Sequence, residues 1–254
     1  MRIALRLYPF ALLVALWWLL AERGTLGNEF VMPPPQRVYE RARELVDDGT
    51  LVDETLVTLG RVLAAFVLAF LAGVALGTLV GCVRPVRRAL RPLVAFFFPA
   101  PKVALYPAMV IVFGLGSSSK VALGFAEALF PILLATSAGT SQVEPRLVWS
   151  AGALGTSRPA ALAKVVIPAA LPSILTGARI GLVGAIVGVF LAEMIAAANG
   201  LGHLMAVSYR TLDTPAMYVA ILTASLIGYA LDRVFLLARG RLLRWSDEET
   251  RSQR

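Results

Sequence analysis

The chain has 254 residues, of which 58% are hydrophobic and only 16% are charged, and its formal net charge is +8. A soluble domain is about 45–50% apolar and about 25% charged, and one of this length could not bury so much apolar surface. The composition therefore excludes an ordinary soluble enzyme, a disordered chain and a disulfide-stapled secreted domain, and it predicts a protein whose surroundings are lipid.

Six apolar runs predict membrane-spanning helices, because a span needs roughly 20 mostly apolar residues whereas a barrel strand needs about 9–11. The predicted spans are residues 7–21, 58–83, 93–115, 121–140, 174–198 and 216–238. The fold class is all-α, a polytopic membrane protein in which residues 1–254 form a single transmembrane domain. The first run, which follows Arg2 and Arg6, could also be a secretory signal peptide. An uncleaved span is the favoured interpretation, since no convincing small-residue cleavage site follows Trp17 and Trp18.

The distribution of basic residues predicts the orientation of these spans. With the N-terminus inside, the inner segments hold fifteen Lys and Arg residues and the outer segments hold six. Cytoplasmic loops carry the excess of Lys and Arg, so both termini are expected on the cytoplasmic side of a multi-pass cytoplasmic (inner) membrane protein. Because the Arg residues cluster at the ends of apolar runs, the net charge is assigned to the lipid bilayer and not to nucleic acid.

Residues 22–56 form an outer segment between the first two spans. After Pro33, Pro34 and Pro35 the stretch 36–48 has Val38, Ala42, Leu45 and Val46 at helical spacing. The pattern predicts a short amphipathic helix, which is either a connector or a docking surface.

The third run contains Pro99, Pro101, Lys102 and Pro107. Each proline lacks a backbone donor, so a continuous helix is not expected here. Broken backbone at membrane depth needs protein or water around it, and a Lys there needs a partner or a pore. Pro101, Lys102 and Pro107 are therefore candidates to border a translocation path. The alternative is that Lys102 extends to the inner interface.

Two acidic residues are further candidates for the path, Glu127 in the fourth span and Glu193 near the outer end of the fifth. Glu127 is either paired with a basic group at similar depth, Arg61 or Lys120, or part of the path. Glu193 is either a cap of the pore mouth or an interfacial anchor. Arg179 is expected to extend towards the inner interface, and Asp232 to pair with its neighbour Arg233.

Glycines recur at four-residue spacing in the second and fifth spans, which lets helix backbones approach closely. They are Gly73, Gly77 and Gly81, then Gly177, Gly181, Gly184 and Gly188. Such stripes serve packing within the subunit, or packing across a dimer or a moving seam.

The segment between the fourth and fifth spans, residues 141–172, predicts a helix-turn-helix on the inner face, called the 141–172 loop below. Residues 149–154 form a short helix that Gly155 ends, because glycine accepts the left-handed conformation of a C-cap. Thr156 or Ser157 then caps a second helix with Pro159 in its first turn, and Pro168 stops that helix. A short exposed helix of this kind suits docking into a groove of a partner.

This loop resembles the "EAA" loop of ATP-binding-cassette importer permeases, which reads Glu-Ala-Ala, three residues, Gly, nine residues, Ile-x-Leu-Pro. Here Gly155 is followed, with the spacing kept, by Val165, Val166, Ile167 and Pro168, whereas Trp149, Ser150 and Ala151 replace Glu-Ala-Ala. The likeness also covers residues 99–107, 113–120, 130–133 and 169–181. In these segments the sequence resembles the nitrate/sulfonate/taurine branch of these permeases. Because this Glu is missing, the charge contact that it would make with the ATPase is in doubt.

The resemblance implies the type I importer permease fold and a pore that is usually a homodimer. A separate cytoplasmic ATPase subunit would bind the 141–172 loop, an extracytoplasmic binding protein would deliver a small solute, and ATP hydrolysis in the ATPase would drive its import. The likeness to the nitrate/sulfonate/taurine branch implies that the solute is an anion, which Lys102 in the path would favour. Independently, a phosphate-binding loop needs Gly before its Lys, and Lys102, Lys120 and Lys164 follow Pro101, Ser119 and Ala163. No cofactor is therefore expected in this chain, and ATP is expected on the partner.

Other classes of protein fit the sequence less well. An ion-coupled secondary transporter, the alternative, usually carries several intramembrane acids and internal repeats. No catalytic cluster is discernible, so the chain is not expected to be an enzyme. A single cysteine, Cys82, excludes a cysteine-based metal site. The single histidine, His203, cannot form a metal site by itself.

Overall fold

The computed structural model describes residues 8, 12, 15–20 and 31–243, and within them the chain is helical, without a strand. Ten α-helices follow one another between residues 31 and 243. They are α1 (Pro35–Asp47), α2 (Thr50–Cys82), α3 (Arg84–Phe97), α4 (Tyr106–Phe113), α5 (Ser117–Ser141), α6 (Pro145–Ala153), α7 (Arg158–Ala161), α8 (Ile167–Ala196), α9 (Leu201–Arg210) and α10 (Thr214–Leu242). A 3₁₀ turn (Lys102–Leu105) precedes α4, and a π-helical turn (Leu162–Val166) joins α7 to α8.

Four helical stretches of the described chain are long and apolar enough to cross a membrane: α2, α5, Arg158–Ala196 and α10. They coincide with the predicted spans at 58–83, 121–140, 174–198 and 216–238, and each helical stretch is longer than its apolar run because polar turns extend it. Of the first predicted span, residues 7–21, the structure describes residues 8, 12 and 15–20, which are helical, and the rest lie outside the described residues. The short amphipathic helix predicted within residues 22–56 is confirmed as α1, with Val38 and Leu45 buried.

The third predicted span, 93–115, is wrong as a single helix. Helix α3 and the pair formed by the 3₁₀ turn and α4 meet at an angle of 89°, so this region is a broken span or a re-entrant loop. The break expected at the prolines is confirmed: Pro101 precedes the 3₁₀ turn, and Pro107 lies in the first turn of α4.

The chain divides into two compact units, and the prediction of one domain over residues 1–254 stays a prediction. The first unit comprises Met1–Leu59 and Glu193–Ile227, as far as they are described. In it Arg41 of α1 donates from Nε and Nη2 to Asp213 Oδ2, at 3.0 and 2.8 Å. The hydrogen bond to Glu44, together with the contact to Asp213, raises the pKa of Arg41. Trp17 stacks on Tyr218, with 5.7 Å between the ring centroids.

The second unit, Gly60–Ala192 with Gly228–Arg254 as far as described, has a core built from small side chains. Helices α2, α5 and α8 supply it, and its fully buried members are Val62, Ala65, Ala69, Ala128, Ile132, Ala185 and Val189. Small side chains let helix backbones approach closely, which is the usual way that helices associate in lipid.

The two glycine stripes both face α5 within the subunit. A Cβ built on Gly77 would lie 2.6 Å from the carbonyl oxygen of Leu133, and one on Gly184 would lie 3.0 Å from that of Glu127. Gly73, Gly81, Gly177, Gly181 and Gly188 are equally confined by α5. This geometry supports the first of the two interpretations, packing within the subunit.

The helix that enters the fifth span does not stop at Pro168. Helix α8 begins at Ile167 and continues through Pro168 and Pro172, and the π turn precedes it directly. A proline inside an α-helix clashes with the carbonyl four residues before it, which for Pro168 is that of Lys164. The wider π turn contains Lys164 and provides room for the ring. A proline that was predicted to end the helix is thereby accommodated.

Candidate functional site

The tip of the 141–172 loop is a helix end fixed by backbone hydrogen bonds. Gly155 has φ +81°, the left-handed conformation that the sequence predicted. The N–H of Gly155 donates to the carbonyl of Gly152 and that of Thr156 donates to Ala151, both at 3.0 Å. This pair of bonds is the Schellman motif, which satisfies the last carbonyls of α6. Ser157 occupies the N-cap position of α7 without a side-chain bond, and Pro159 lies in its first turn, as predicted.

The tip presents apolar side chains to its surroundings. Trp149 is 71% exposed and Leu154 is 86% exposed, and Ser150 is exposed beside them. Four of the predicted loop residues are half-buried: Ala151 near the tip, and Val165, Ile167 and Pro168 at the π turn and the start of α8. A large exposed apolar patch marks a site of interaction more often than a neutral surface. The structure thus brings the predicted loop residues into one exposed hairpin.

A groove of about 700 Å³ runs along the base of this hairpin. It is lined by the ends of α2 and α5 and by the loop itself, including Cys82, Thr140, Trp149 and Arg158. The Cys82 thiol is exposed. The groove therefore joins the exposed tip to the ends of two membrane-capable helices.

The second candidate site lies at the broken helix of the second unit. Lys102 Nζ is 3.5 Å from Glu127 Oε2 on α5, and the two side chains are 12% and 24% exposed. The ammonium also lies 5.5 Å from the centre of the Phe130 ring and donates to the carbonyl of Phe98 at 3.3 Å. Pro101 and Pro107, which flank the turn, are exposed. Lys102 and Glu127, both predicted for the path, are in direct contact.

The partner found for Glu127 differs from the two that were expected. Arg61 donates to the Ser117 hydroxyl at 3.0 Å, and Lys120 donates to the carbonyl of Leu115. Both bonds lie at the start of α5, whereas Glu127 is ten residues further along that helix. At 1.5 Å per residue the separation along the axis is about 15 Å, beyond the reach of an ion pair. The break before α4 brings Lys102 to Glu127 instead, and no periodicity in the sequence signals that.

Glu193 belongs to the first unit, where it caps α9. Its carboxylate is 1% exposed and accepts hydrogen bonds from the Thr58 hydroxyl, at 2.8 Å, and from the N–H of Gly202, at 3.1 Å. Glu54 accepts from the N–H of Gly200, and the Thr58 oxygen accepts from that of Leu201 at 2.8 Å. Helix N-termini favour negative charge, so these groups fix the start of α9 to α2. This gives Glu193 an anchoring contact, while its role at a pore mouth stays a prediction.

The chain is similar in sequence to a family of membrane transport components and to several of its members. Residues 61–243 match the family described as the binding-protein-dependent transport system inner membrane component. The chain is 34% identical over 245 residues to a probable ABC transporter permease protein of Brucella abortus, and the match covers 96% of each chain. It is 32% identical to the taurine transport system permease protein TauC of Escherichia coli, covering 97% of this chain and 91% of that one.

A putative aliphatic sulfonates transport permease protein, SsuC of Bacillus subtilis, is 27% identical over 235 residues, covering 92% of this chain and 85% of that one. Among solved structures, an inward-facing form of the MetNI methionine ABC transporter superposes with a TM-score of 0.65 at 20% identity. The superposition covers 77% of this chain and 95% of that chain, and at this identity it shows a shared fold.

Proposed function

The chain belongs to the family of binding-protein-dependent transport system inner membrane components, and from that premise we propose how its parts carry out transport. Membership makes it the membrane-spanning permease subunit of an ATP-binding-cassette importer, a transport component and not an enzyme. It also implies a partner ATPase, a substrate-binding protein and a multi-pass location in the inner membrane. Family membership therefore excludes the alternative, an ion-coupled secondary transporter.

The ATPase is proposed to bind the 141–172 loop, with Trp149 and Leu154 inserted into its surface. The observation that carries this is the exposure of two large apolar side chains at a tip whose backbone is fixed by the Gly155 motif. A rigid tip loses little conformational freedom on binding, and buried aromatic anchors dominate interface energies. Because Trp149 stands where the EAA motif that this loop resembles has Glu, the proposed contact is apolar and depends little on salt.

Truncating the tip tests this proposal. Trp149→Ala in the full chain, co-expressed with its ATPase, is expected to weaken ATPase retention by about 2 kcal/mol, or roughly 30-fold in affinity. Tyr209→Ala is the matched control, because Tyr209 is 68% exposed on another short helix, α9. Equal retention of the ATPase by both variants would remove the loop from the interface.

Two further proposals concern assembly and orientation. A second copy of the chain is proposed to complete the pore, and the face of α10 is its candidate contact. Only 11% of the most apolar stretch of α10 is buried within the subunit, against 33–50% for the other membrane-capable helices.

Both termini are proposed to be cytoplasmic, which puts the 141–172 loop on the side of ATP. The excess of Lys and Arg in the segments on that side supports this orientation.

The solute is proposed to be a small anion of the sulfonate class. Two relatives carry names for taurine and aliphatic sulfonate transport, and this chain holds an ammonium group, Lys102, at a break in its membrane helices. Glu127 neutralises Lys102 in the absence of solute, so the pair can sit at membrane depth at a lower cost than either charge alone. An incoming sulfonate would compete with Glu127 for the ammonium.

A further inference from the structure

Helix α3 is the most strongly amphipathic of the described helices. It carries Arg84, Arg87, Arg88 and Arg91 and no acidic residue, and none of its side chains is buried. Its other face is apolar, with Leu93 52% and Phe96 71% exposed. A helix with one basic and one apolar face lies in the plane of a membrane interface, with the apolar face towards the acyl chains.

A cavity of about 320 Å³ lies between α3, α2 and α5. Most of its lining is apolar, and the polar side chains in it are those of Arg87, Arg91 and Ser137. The apolar members are Val80, Val94, Ala95, Phe98, Leu133 and Leu134. Because Arg87 and Arg91 are four residues apart, their side chains lie on the same face of α3.

The depth of the cavity follows from its position along α5. That helix ends at Ser141, which lines the groove of the 141–172 loop, whereas the cavity is lined by Leu133, Leu134 and Ser137. At 1.5 Å per residue, Ser137 lies about 6 Å and Leu133 about 12 Å before the helix end. We take the end of α5 as the water-facing edge of a headgroup layer, which is about 5–7 Å thick, and this puts the cavity across the boundary between headgroups and acyl chains.

The guanidinium groups of Arg87 and Arg91 lie at this boundary. Arg87 donates from Nε to the carbonyl of Val80, at 2.9 Å, and from Nη2 to that of Gly81, which fixes its side chain at the end of α2. Within the described part of the chain, no carboxylate lies at ion-pair distance from Arg87 or Arg91. Their positive charge is therefore available to an anionic group in the cavity.

We propose that this cavity binds one anionic phospholipid, with its phosphate between Arg91, Arg87 and the Ser137 hydroxyl and an acyl chain along Val94, Phe98 and Leu133. Phosphate accepts charge-assisted hydrogen bonds from guanidinium groups, and apolar walls at this depth contact an acyl chain. A free phosphate ion would use the same charges but would leave the apolar walls uncovered. The binding does not depend on the proposed transport function. The proposed orientation, with both termini cytoplasmic, would put the lipid in the cytoplasmic leaflet.

Native mass spectrometry of the purified full chain, offered equal amounts of phosphatidylglycerol and phosphatidylcholine, tests the proposal. One phosphatidylglycerol is expected to be retained in preference to phosphatidylcholine. Arg91→Gln should lower that preference about fivefold, the effect of one Arg near a membrane surface. Arg88→Gln is the matched control, since Arg88 lies on the same helix but outside the cavity lining. Equal effects of the two substitutions would mean diffuse surface charge and would overturn the site.

Two further measurements separate the sources of the anion and the contribution of the walls. Leu134→Trp fills the cavity without changing charge and is expected to exclude the lipid, while thermal unfolding of each variant verifies that it is folded. Inorganic phosphate and glycerol phosphate in excess should fail to displace phosphatidylglycerol. Displacement by either would assign the site to a free anion, and retention of the lipid by Leu134→Trp would place the lipid outside the cavity. Each of these results would overturn the proposal.

Discussion

Arg179 on α8 and Asp232 on α10 form a two-bond ion pair, with Nε to Oδ1 at 2.6 Å and Nη2 to Oδ2 at 3.0 Å. The residues are 53 positions apart, and each lies inside a membrane-capable helix. Neither was expected to pair in this way: Arg179 was expected to extend to the interface and Asp232 to pair with Arg233. Arg233 instead lies over the Tyr229 ring, 4.8 Å from its centre. The pair connects two helices through charges that would be costly alone.

Breaking this pair should cost more than removing it. Asp232→Ala leaves Arg179 without its counter-charge, and an unpaired charge within a span costs about 2.5–3.5 kcal/mol on insertion scales. We expect a lower yield and a lower unfolding temperature in detergent for Asp232→Ala. The double variant Arg179→Met, Asp232→Leu should recover most of the loss, as a double-mutant cycle measures. Additive losses in the cycle would show that the two side chains act independently.

The Lys102–Glu127 contact makes two single substitutions informative. If Lys102 binds the solute anion, Lys102→Met should abolish uptake, whereas Glu127→Gln, which leaves the ammonium without its competitor, should retain uptake with a lower apparent KM. If Lys102 serves only to neutralise Glu127, both single variants should fail alike and the double variant should recover. Uptake of a sulfonate and substrate-stimulated ATPase activity, measured in membrane vesicles, decide between the two outcomes.

Gly155 tests the importance of the loop backbone, because its φ of +81° is costly for β-branched residues and nothing lies within 4 Å of an added Cβ. Gly155→Val should weaken ATPase binding or uncouple hydrolysis from uptake while the chain still inserts. Gly155→Asn should preserve both, since Asn accepts the left-handed conformation. Gly152→Ala, in the preceding helix and equally open, is the control. Normal coupling in Gly155→Val would show that the conformation is dispensable.

Cys82 reports both on orientation and on docking, because its exposed thiol lines the groove of the 141–172 loop. A membrane-impermeant thiol reagent should miss it in intact cells and label it in inverted vesicles, and bound ATPase should slow that labelling. A cysteine at Tyr209, introduced together with Cys82→Ser, should show the opposite sidedness. Fast labelling of Cys82 from outside intact cells contradicts the proposed orientation.

The features that could be predicted from the sequence are those determined locally. Apolar length indicated the spans, prolines indicated the break before α4, helical spacing indicated α1, and a glycine indicated the left-handed end of α6. The contacts of the charged groups were missed, because Lys102 and Glu127, or Arg41 and Asp213, meet only through packing of distant segments. Helix α9 was missed as well, since side chains from α2 and α8 supply its N-terminal caps.

The π turn before Pro168 determines how α8 is rotated about its axis relative to the 141–172 loop. A π turn holds about one residue more than an α turn, and each residue advances an α-helix by about 100°. Deleting one residue from Leu162–Val166 would therefore turn Gly177, Gly181 and Gly188 away from α5, or turn the 141–172 loop around the helix axis. The extra residue acts as a rotational offset, which aligns the exposed tip at one end of the chain segment with the glycine face at the other.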